Sequence, residues 1–165
     1  MFRDSEAYNV SDGRTRSRGI EVSFNHTSGA HTFALAGTYA RHKYAFYRAL
    51  AGRETISNGN DMDSAPGGLA KPVGGSIGTD LDHEFELISV GSYYVNAANT
   101  AKYDGHTVLN WRAQWQPRPE LQWSLRVMNV LDEEYADRAD FAFGSYRYFP
   151  AMPRQIYLGV RLALD

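Results

Sequence analysis

The 165-residue chain has no cysteine. Disulfides, thiolate metal centres and a cysteine nucleophile are therefore excluded. It has no run of about 18 apolar residues, so a membrane-spanning helix is excluded as well. Charge of one sign is also missing. Lys plus Arg number 17 against 19 Asp plus Glu, a net charge of -2, which removes a strongly basic nucleic-acid binder from the candidate classes. Met1-Phe2-Arg3-Asp4-Ser5-Glu6 lacks a basic stretch followed by an apolar one, so no signal peptide is expected and export would need a leader upstream. Apolar residues at helical spacing are sustained nowhere. A membrane stays open all the same, because a β-barrel alternates lipid-facing and lumen-facing residues and averages out polar.

What is present suits strands and turns. Apolar residues reach 43% and aromatics 13%, with 15 glycines, enough for a core or a lipid face and high for a helical protein. The period is two. Over 15–25, Ile20, Val22 and Phe24 alternate with Gly19, Glu21 and Ser23, and a turn follows at Thr27-Ser28-Gly29-Ala30. Over 32–43, Phe33, Leu35, Gly37 and Tyr39 share one face, so the two segments read as a hairpin. From 47 to 69 the pattern dissolves into Ser, Asn, Gly, Asp and Pro, a loop long enough to be functional. Strand character returns weakly over 69–77, and Thr79-Asp80-Leu81-Asp82 reads as a turn. Phe85, Leu87, Gly91, Tyr93 and Val95 share one parity before a polar loop over 96–105. Then Thr107, Leu109, Trp111, Ala113 and Trp115 oppose His106, Asn110, Arg112, Gln114 and Gln116. A tight Pro117-Arg118-Pro119-Glu120 connection leads to Leu121, Trp123, Leu125 and Val127. After a loop over 132–153, the last strand sets Ile156, Leu158, Val160, Leu162 and Leu164 against Tyr157, Gly159 and Arg161.

Short and long connections alternate along these strands. Short turns on one side and long loops on the other mark an outer-membrane barrel, short on the periplasmic side and long on the extracellular side. The polar face carries Glu21, Glu86, Arg112, Arg126 and Arg161, which suits a wet lumen and not a protein core. The fold expected is all-β: an antiparallel transmembrane β-barrel segment of about seven strands. Trp111, Trp115 and Trp123 then form a periplasmic-side aromatic girdle, the alternative being soluble core packing.

The last third resembles the C-terminal end of TonB-dependent outer-membrane receptors. The resemblance rests on Asn99-Thr100, on 103–110, on Val127-Met128-Asn129-Val130-Leu131-Asp132-Glu133-Glu134-Tyr135, on Tyr148-Phe149-Pro150-Ala151-Met152-Pro153-Arg154 and on the closing strand Tyr157-Leu158-Gly159-Val160-Arg161. Gly19-Ile20-Glu21 and the stretch from Gly59-Asn60 to Pro66 look like elements found further upstream in that family. The resemblance implies that residues 1–165 are the C-terminal portion of a receptor barrel, without the plug domain, the TonB box and the signal peptide. It also implies a Gram-negative outer-membrane location and energised uptake of a scarce nutrient complex, an iron siderophore or haem. The implied partners are outer-membrane lipid, the rest of the barrel and plug, and the TonB energy-coupling complex reached through the N-terminal part; no nucleic acid is among them. The alternative is a non-transporting remnant or a small barrel with an adhesion role. Family members usually end on an aromatic residue, whereas this chain ends Leu164-Asp165, so a weakened barrel-assembly signal is expected.

No enzymatic chemistry, cofactor or metal is expected. His26, His31, His42, His83 and His106 fall in no H-x-x-x-H spacing, no serine sits in G-x-S-x-G, and Gly67-Gly68 and Gly74-Gly75 precede no helix. Asp61 and Asp63 lack the glycine and terminal glutamate of a calcium loop. Two binding regions are expected. Arg138, Phe143, Tyr146 and Arg147 could hold an anionic iron chelate by stacking and cation contacts, the alternative being ordinary loop packing. Arg14, Arg16 and Arg18 share parity with Ile20, and Arg41 and Lys43 share parity with Tyr39. Together these five form a candidate contact for lipopolysaccharide phosphate on the lipid side. A solvated loop, or a bulge at Gly19 that flips the parity, is the alternative.

Overall fold

A computed structural model of the chain describes residues 13–50, 54–75, 81–143 and 145–163, with the backbone of 2–3 and 9–10. Seven strands form one sheet: β1 Thr15–Ser28, β2 His31–Tyr44, β3 Gly68–Gly75, β4 Leu81–Val90, β5 His106–Arg118, β6 Leu121–Met128 and β7 Gln155–Leu162. Their order across the sheet is their order in the chain, and every neighbouring pair is antiparallel. No helix occurs among the described residues.

The meander follows from the turns. Gly29, at φ 59°, supplies the positive φ of the two-residue connection between β1 and β2. Register is unbroken from Thr15 opposite Tyr44 to Ser28 opposite His31, so no bulge interrupts β1 at Gly19. A side chain there would meet the Tyr39 carbonyl at 2.8 Å and Ala40 Cβ at 2.9 Å, so only glycine fits this close approach. At the opposite corner, register slips between Trp115 and Arg118 on β5, where Pro117 has no N–H for the ladder. Residues 119–120 then close the second short turn.

Cross-strand register joins the apolar parities into one continuous face. Phe24 faces Leu35, Trp111 faces both Phe85 and Val127, and Trp123 lies between Trp115 and Val160. Burial across the sheet is the reverse of a water-soluble fold. Ile20 and Leu158 are 69% and 70% exposed, whereas Glu86 and Asn110 on the other face are 4% and 3% exposed. The polar face is internally paired. Arg112 bridges Glu84 and Glu86, the second at 2.7 Å, and Asn110 Nδ2 donates to Glu86 at 3.2 Å. One face is thus built to meet hydrocarbon and the other to meet water or polar protein.

Several elements depart from the sequence reading. Leu81 and Asp82 begin β4 instead of lying in the preceding turn. β4 stops at Val90, opposite His106 on β5; Gly91 still donates to the Gly68 carbonyl at 2.7 Å, but Tyr93–Tyr94 pairs with Lys102–Tyr103 instead of with β5. The long connections carry structure of their own: Arg48–Ala49 pairs with Thr55–Ile56, and Ala136–Ala142 with Ser145–Pro150. Trp111 does not join the periplasmic girdle. It stands four residues, roughly 13 Å, up the strand from Trp115, stacked between His83 and Phe85 at centroid distances of 5.9 and 6.3 Å. The expected turn at 79–80, the end of the third strand at 76–77 and the chain end at Leu164-Asp165 lie outside the described residues.

Candidate functional site

Three long connections, 45–67, 91–105 and 129–154, gather at one end of the sheet. Hydrogen bonds tie them together. Asn99 Oδ1 accepts from the Asp61 N–H at 2.7 Å, and its Nδ2 returns to the Asp61 carbonyl at 2.8 Å. Buried Asn96 donates to Glu54 at 2.7 Å and accepts from the Thr100 N–H at 3.0 Å. Tyr44, Ile56 and Ala97 make a small apolar core beneath these links. Asp63 accepts from the Tyr44 hydroxyl and Asp61 lies 3.6 Å from Lys43 Nζ, so both carboxylates of the faint calcium pattern are engaged within the loops.

The segment 129–135, which carries much of the family resemblance, works as a corner piece. Asn129 is 3% exposed and left-handed, at φ 51°. Its Oδ1 accepts from the Glu133 N–H at 2.9 Å, its Nδ2 donates to the Glu133 carbonyl at 2.9 Å, and its own N–H donates to Asn110 Oδ1 at 2.9 Å. Asp132 accepts from the Arg154 N–H at 2.9 Å, which anchors the far end of the connection at the start of β7. The Tyr135 ring lies 4.3 Å from that of His106, and Tyr103 hydrogen-bonds His106 Nδ1 at 2.9 Å. Burial raises the pKa of both tyrosines, so their hydroxyls stay protonated.

Beneath this corner, on the polar face of the sheet, lies a cavity of about 340 Å³. His106, Asn110, Tyr135, Asp137 and Met152 are among the residues that line it. The sequence reading missed it, since its wall comes from four separate segments. The only available signal was that Ile88, His106, Val108, Asn110 and Met128 all have the polar-face parity.

The four residues singled out for ligand contact all lie on the 136–150 hairpin but are not all on one surface. Register places Arg138 opposite Phe149 and Asp140 opposite Arg147. Arg147 grips Asp140 through two hydrogen bonds of 2.8 and 3.0 Å, and Arg138 also pairs with Asp140. These contacts, chiefly the Arg147 hydrogen bonds, hold the Asp140 carboxyl below its ordinary pKa. Both guanidiniums also lie over Phe149, at 5.5 and 5.4 Å, and Arg147 over Phe143 at 5.7 Å. Phe143 projects at the tip, 96% exposed. Tyr146 belongs to the opposite face, with its ring 5.0 Å from Phe141. Arg138, Phe143 and Arg147 are therefore brought together, and Tyr146 is not.

Four of the five cations on the first hairpin have partners in the register. Arg16 is opposite Lys43 and Arg18 opposite Arg41, on the face of Ile20 and Tyr39. Arg14 precedes β1 and stands apart from the cavity that the other four share.

A family model described as "TonB dependent receptor-like, beta-barrel" matches residues 2–130. No curated protein matches the sequence. Among solved structures, the siderophore receptor PiuA from Acinetobacter baumannii superposes with a TM-score of 0.82 at 16% identity, over 98% of this chain and 24% of that one. The ferric yersiniabactin uptake receptor FyuA from Yersinia pestis gives 0.75 at 18% identity, over 91% of this chain and 24% of that one. The ferric citrate transporter FecA gives 0.77 at 14% identity, over 97% and 26%. The chain thus spans about a quarter of the length of these structures. The family match and the two-faced seven-stranded meander together place the chain in the TonB-dependent receptor β-barrel family of the Gram-negative outer membrane.

Proposed function

We propose that the chain forms the C-terminal strands of a TonB-dependent importer that takes up an iron-siderophore complex or haem. In this reading the three long connections face outside the cell, the polar face lines the lumen, and a plug and TonB-contacting segment belong to the remainder of the receptor. The observation that carries it is the family match over residues 2–130, together with a cavity on the polar face of the sheet whose loop wall comes from the 129–154 connection. Two of the similar structures are a ferric yersiniabactin uptake receptor and a ferric citrate transporter, which makes a ferric chelate the first class to test here.

The 136–150 hairpin contributes to capture. Phe143 offers an exposed ring beside a guanidinium pair, a combination that suits a flat, anionic, partly aromatic chelate. Arg147 positions Phe143 more than it offers free charge, because Asp140 already holds its Nε and one terminal nitrogen. No residue performs covalent chemistry in this scheme. Selectivity comes from loop shape and a few polar contacts.

Deleting 47–69 or 136–148 from the full-length receptor should abolish binding of a panel of ferric siderophores and haem while the barrel still assembles. Wild-type affinity in both deletions would move the binding site to the plug and earlier strands. Assembled wild-type receptor that binds no member of the panel would favour the adhesion or remnant reading.

A further inference from the structure

We propose that the outer surface of the first hairpin holds a phosphate of an outer-leaflet glycolipid, lipopolysaccharide, in a pocket shared by Arg16, Arg18, Arg41 and Lys43. The inference uses the outer-membrane location of the family and is independent of what the receptor imports.

Register supplies the first support. The pairs Arg16–Lys43 and Arg18–Arg41 are stacked one above the other on a single face. Like charges directly opposite on a sheet are destabilising, and two consecutive pairs compound the repulsion. Internal neutralisation is slight. Among the described residues, Asp61 approaches Lys43 at 3.6 Å, and none forms an ion pair with Arg16, Arg18 or Arg41. A bound anion with several oxygens removes the conflict, and guanidinium forks match phosphate oxygens in bidentate geometry.

Height along the strand selects the source of that phosphate. His26 to Arg18 covers roughly 26 Å of strand. At a tilt of about 40° this gives roughly 20 Å of height, slightly under the ~25 Å apolar band of an outer-membrane barrel. Arg18 and Arg41 therefore stand at the rim and extend outward by snorkelling, with Arg16 and Lys43 one outward-facing step higher. This end is opposite the two-residue turn at 29–30 and adjoins the long connections, so it is the extracellular rim.

The pocket is graded in polarity. It encloses about 510 Å³, with Ile20 and Tyr39 toward the apolar band and the four cations above them. A soluble phosphate needs no apolar floor. A phosphorylated lipid does: its acyl region lies along Ile20 and Val22, the Tyr39 ring sits at headgroup depth, and the phosphate occupies the gap between the opposed cations. Arg14 lies beyond the pocket and is not assigned to it.

The test uses the full receptor, purified in detergent from outer membranes. Lipopolysaccharide retained per barrel is measured by lipid A mass spectrometry, and assembly is checked by the heat-dependent shift of barrels on gels. Arg18→Gln with Arg41→Gln should lower retention about tenfold or more, since each charge-assisted hydrogen bond accounts for roughly a tenfold change in affinity. Arg18→Lys with Arg41→Lys, which keeps the charge and loses the fork, should fall between wild type and the double Gln variant. Arg126→Gln, on the lumen face, should leave it unchanged. Unchanged retention in the double Gln variant overturns the proposal. So does equal displacement of the lipid by millimolar inorganic phosphate, which would indicate a site for free phosphate. A double Gln variant that fails to assemble shifts the test to wild-type receptor in vesicles, with spin labels at Ile20 and Val22. Broadening by lipid A that carries a spin label near its phosphate supports the site there, and no broadening overturns it.

Discussion

Asn129 is where the fold depends most on one polar side chain. It takes a left-handed conformation and returns two hydrogen bonds of 2.9 Å to the Glu133 backbone, setting the path from β6 into the 129–154 connection. In Asn129→Ala both bonds are lost, at about 1 kcal/mol each for contacts of this partly buried kind. Alanine also lacks the tolerance for φ 51° that asparagine has, adding roughly 1 kcal/mol. The expected loss is about 2–3 kcal/mol. Asn129→Gly loses the same bonds without the steric strain and should be less destabilised than the alanine variant by about 1 kcal/mol. The Asn129 N–H bond to Asn110 uses backbone and survives in both variants. Stability would be read from denaturant unfolding of the refolded barrel in lipid vesicles, followed by tryptophan fluorescence. The reasoning is refuted by an alanine variant within about 0.5 kcal/mol of wild type, or by a glycine variant less stable than alanine.

Three further outcomes follow from the same geometry. Because Arg147 depresses the Asp140 pKa, the contribution of that pair is complete above the ordinary carboxylate range and disappears only as pH falls through the lowered value. Hydrogen exchange of 136–150 should therefore be flat from pH 7 to 5, after correction for the intrinsic rate, and protection should fall only in stronger acid; a loss near pH 6 would contradict the pairing. Gly105→Ala places a Cβ 2.9 Å from Gly91 C at φ 87°, so it should destabilise the entry to β5 by more than the ~1 kcal/mol of a Gly–Ala propensity difference, measured by the same unfolding assay. Expressed alone in water, the chain exposes Ile20, Val22, Phe24, Leu158 and Val160 on one face and two open sheet edges, so light scattering should report aggregates. A monodisperse monomer with cooperative melting would count against a lipid-facing surface.

The strands were legible because period two is a local property. Ile156, Leu158, Val160 and Leu162 alternate with polar or small neighbours whatever surrounds them, and the seven-stranded sheet follows that alternation. That Arg16, Arg18, Arg41 and Lys43 share a face with Ile20 and Tyr39 follows from the same alternation, since β1 is continuous through Gly19. The interiors of the long connections were not. The hairpin Ala136–Ala142 with Ser145–Pro150 depends on pairing Arg147 to Asp140 and on the Tyr93 hydroxyl donated to by the Ala139 N–H at 3.0 Å, a contact 46 residues distant in sequence. The early end of β4 was likewise hidden, since Tyr93 and Val95 keep the alternation but Tyr93–Tyr94 pairs with Lys102–Tyr103 instead of with β5. The cavity on the polar face was out of reach for the same cause: His106, Asp137 and Met152 meet only in three dimensions.

In the assembled receptor the Ile20–Leu158 face is expected to meet lipid and the Ser124–Arg161 face the lumen. Spin labels placed singly at Val22, Phe24, Leu158, Val160, Gln114, Ser124 and Arg161 of the receptor in vesicles, with collision rates measured against oxygen and against a water-soluble nickel complex, test it most directly. The predicted result is strict alternation: the first four favour oxygen, and the last three are shielded from lipid-dissolved oxygen and reached by nickel wherever the lumen is open. Equal nickel accessibility of both sets, or oxygen preference on the Ser124 side, would contradict the account.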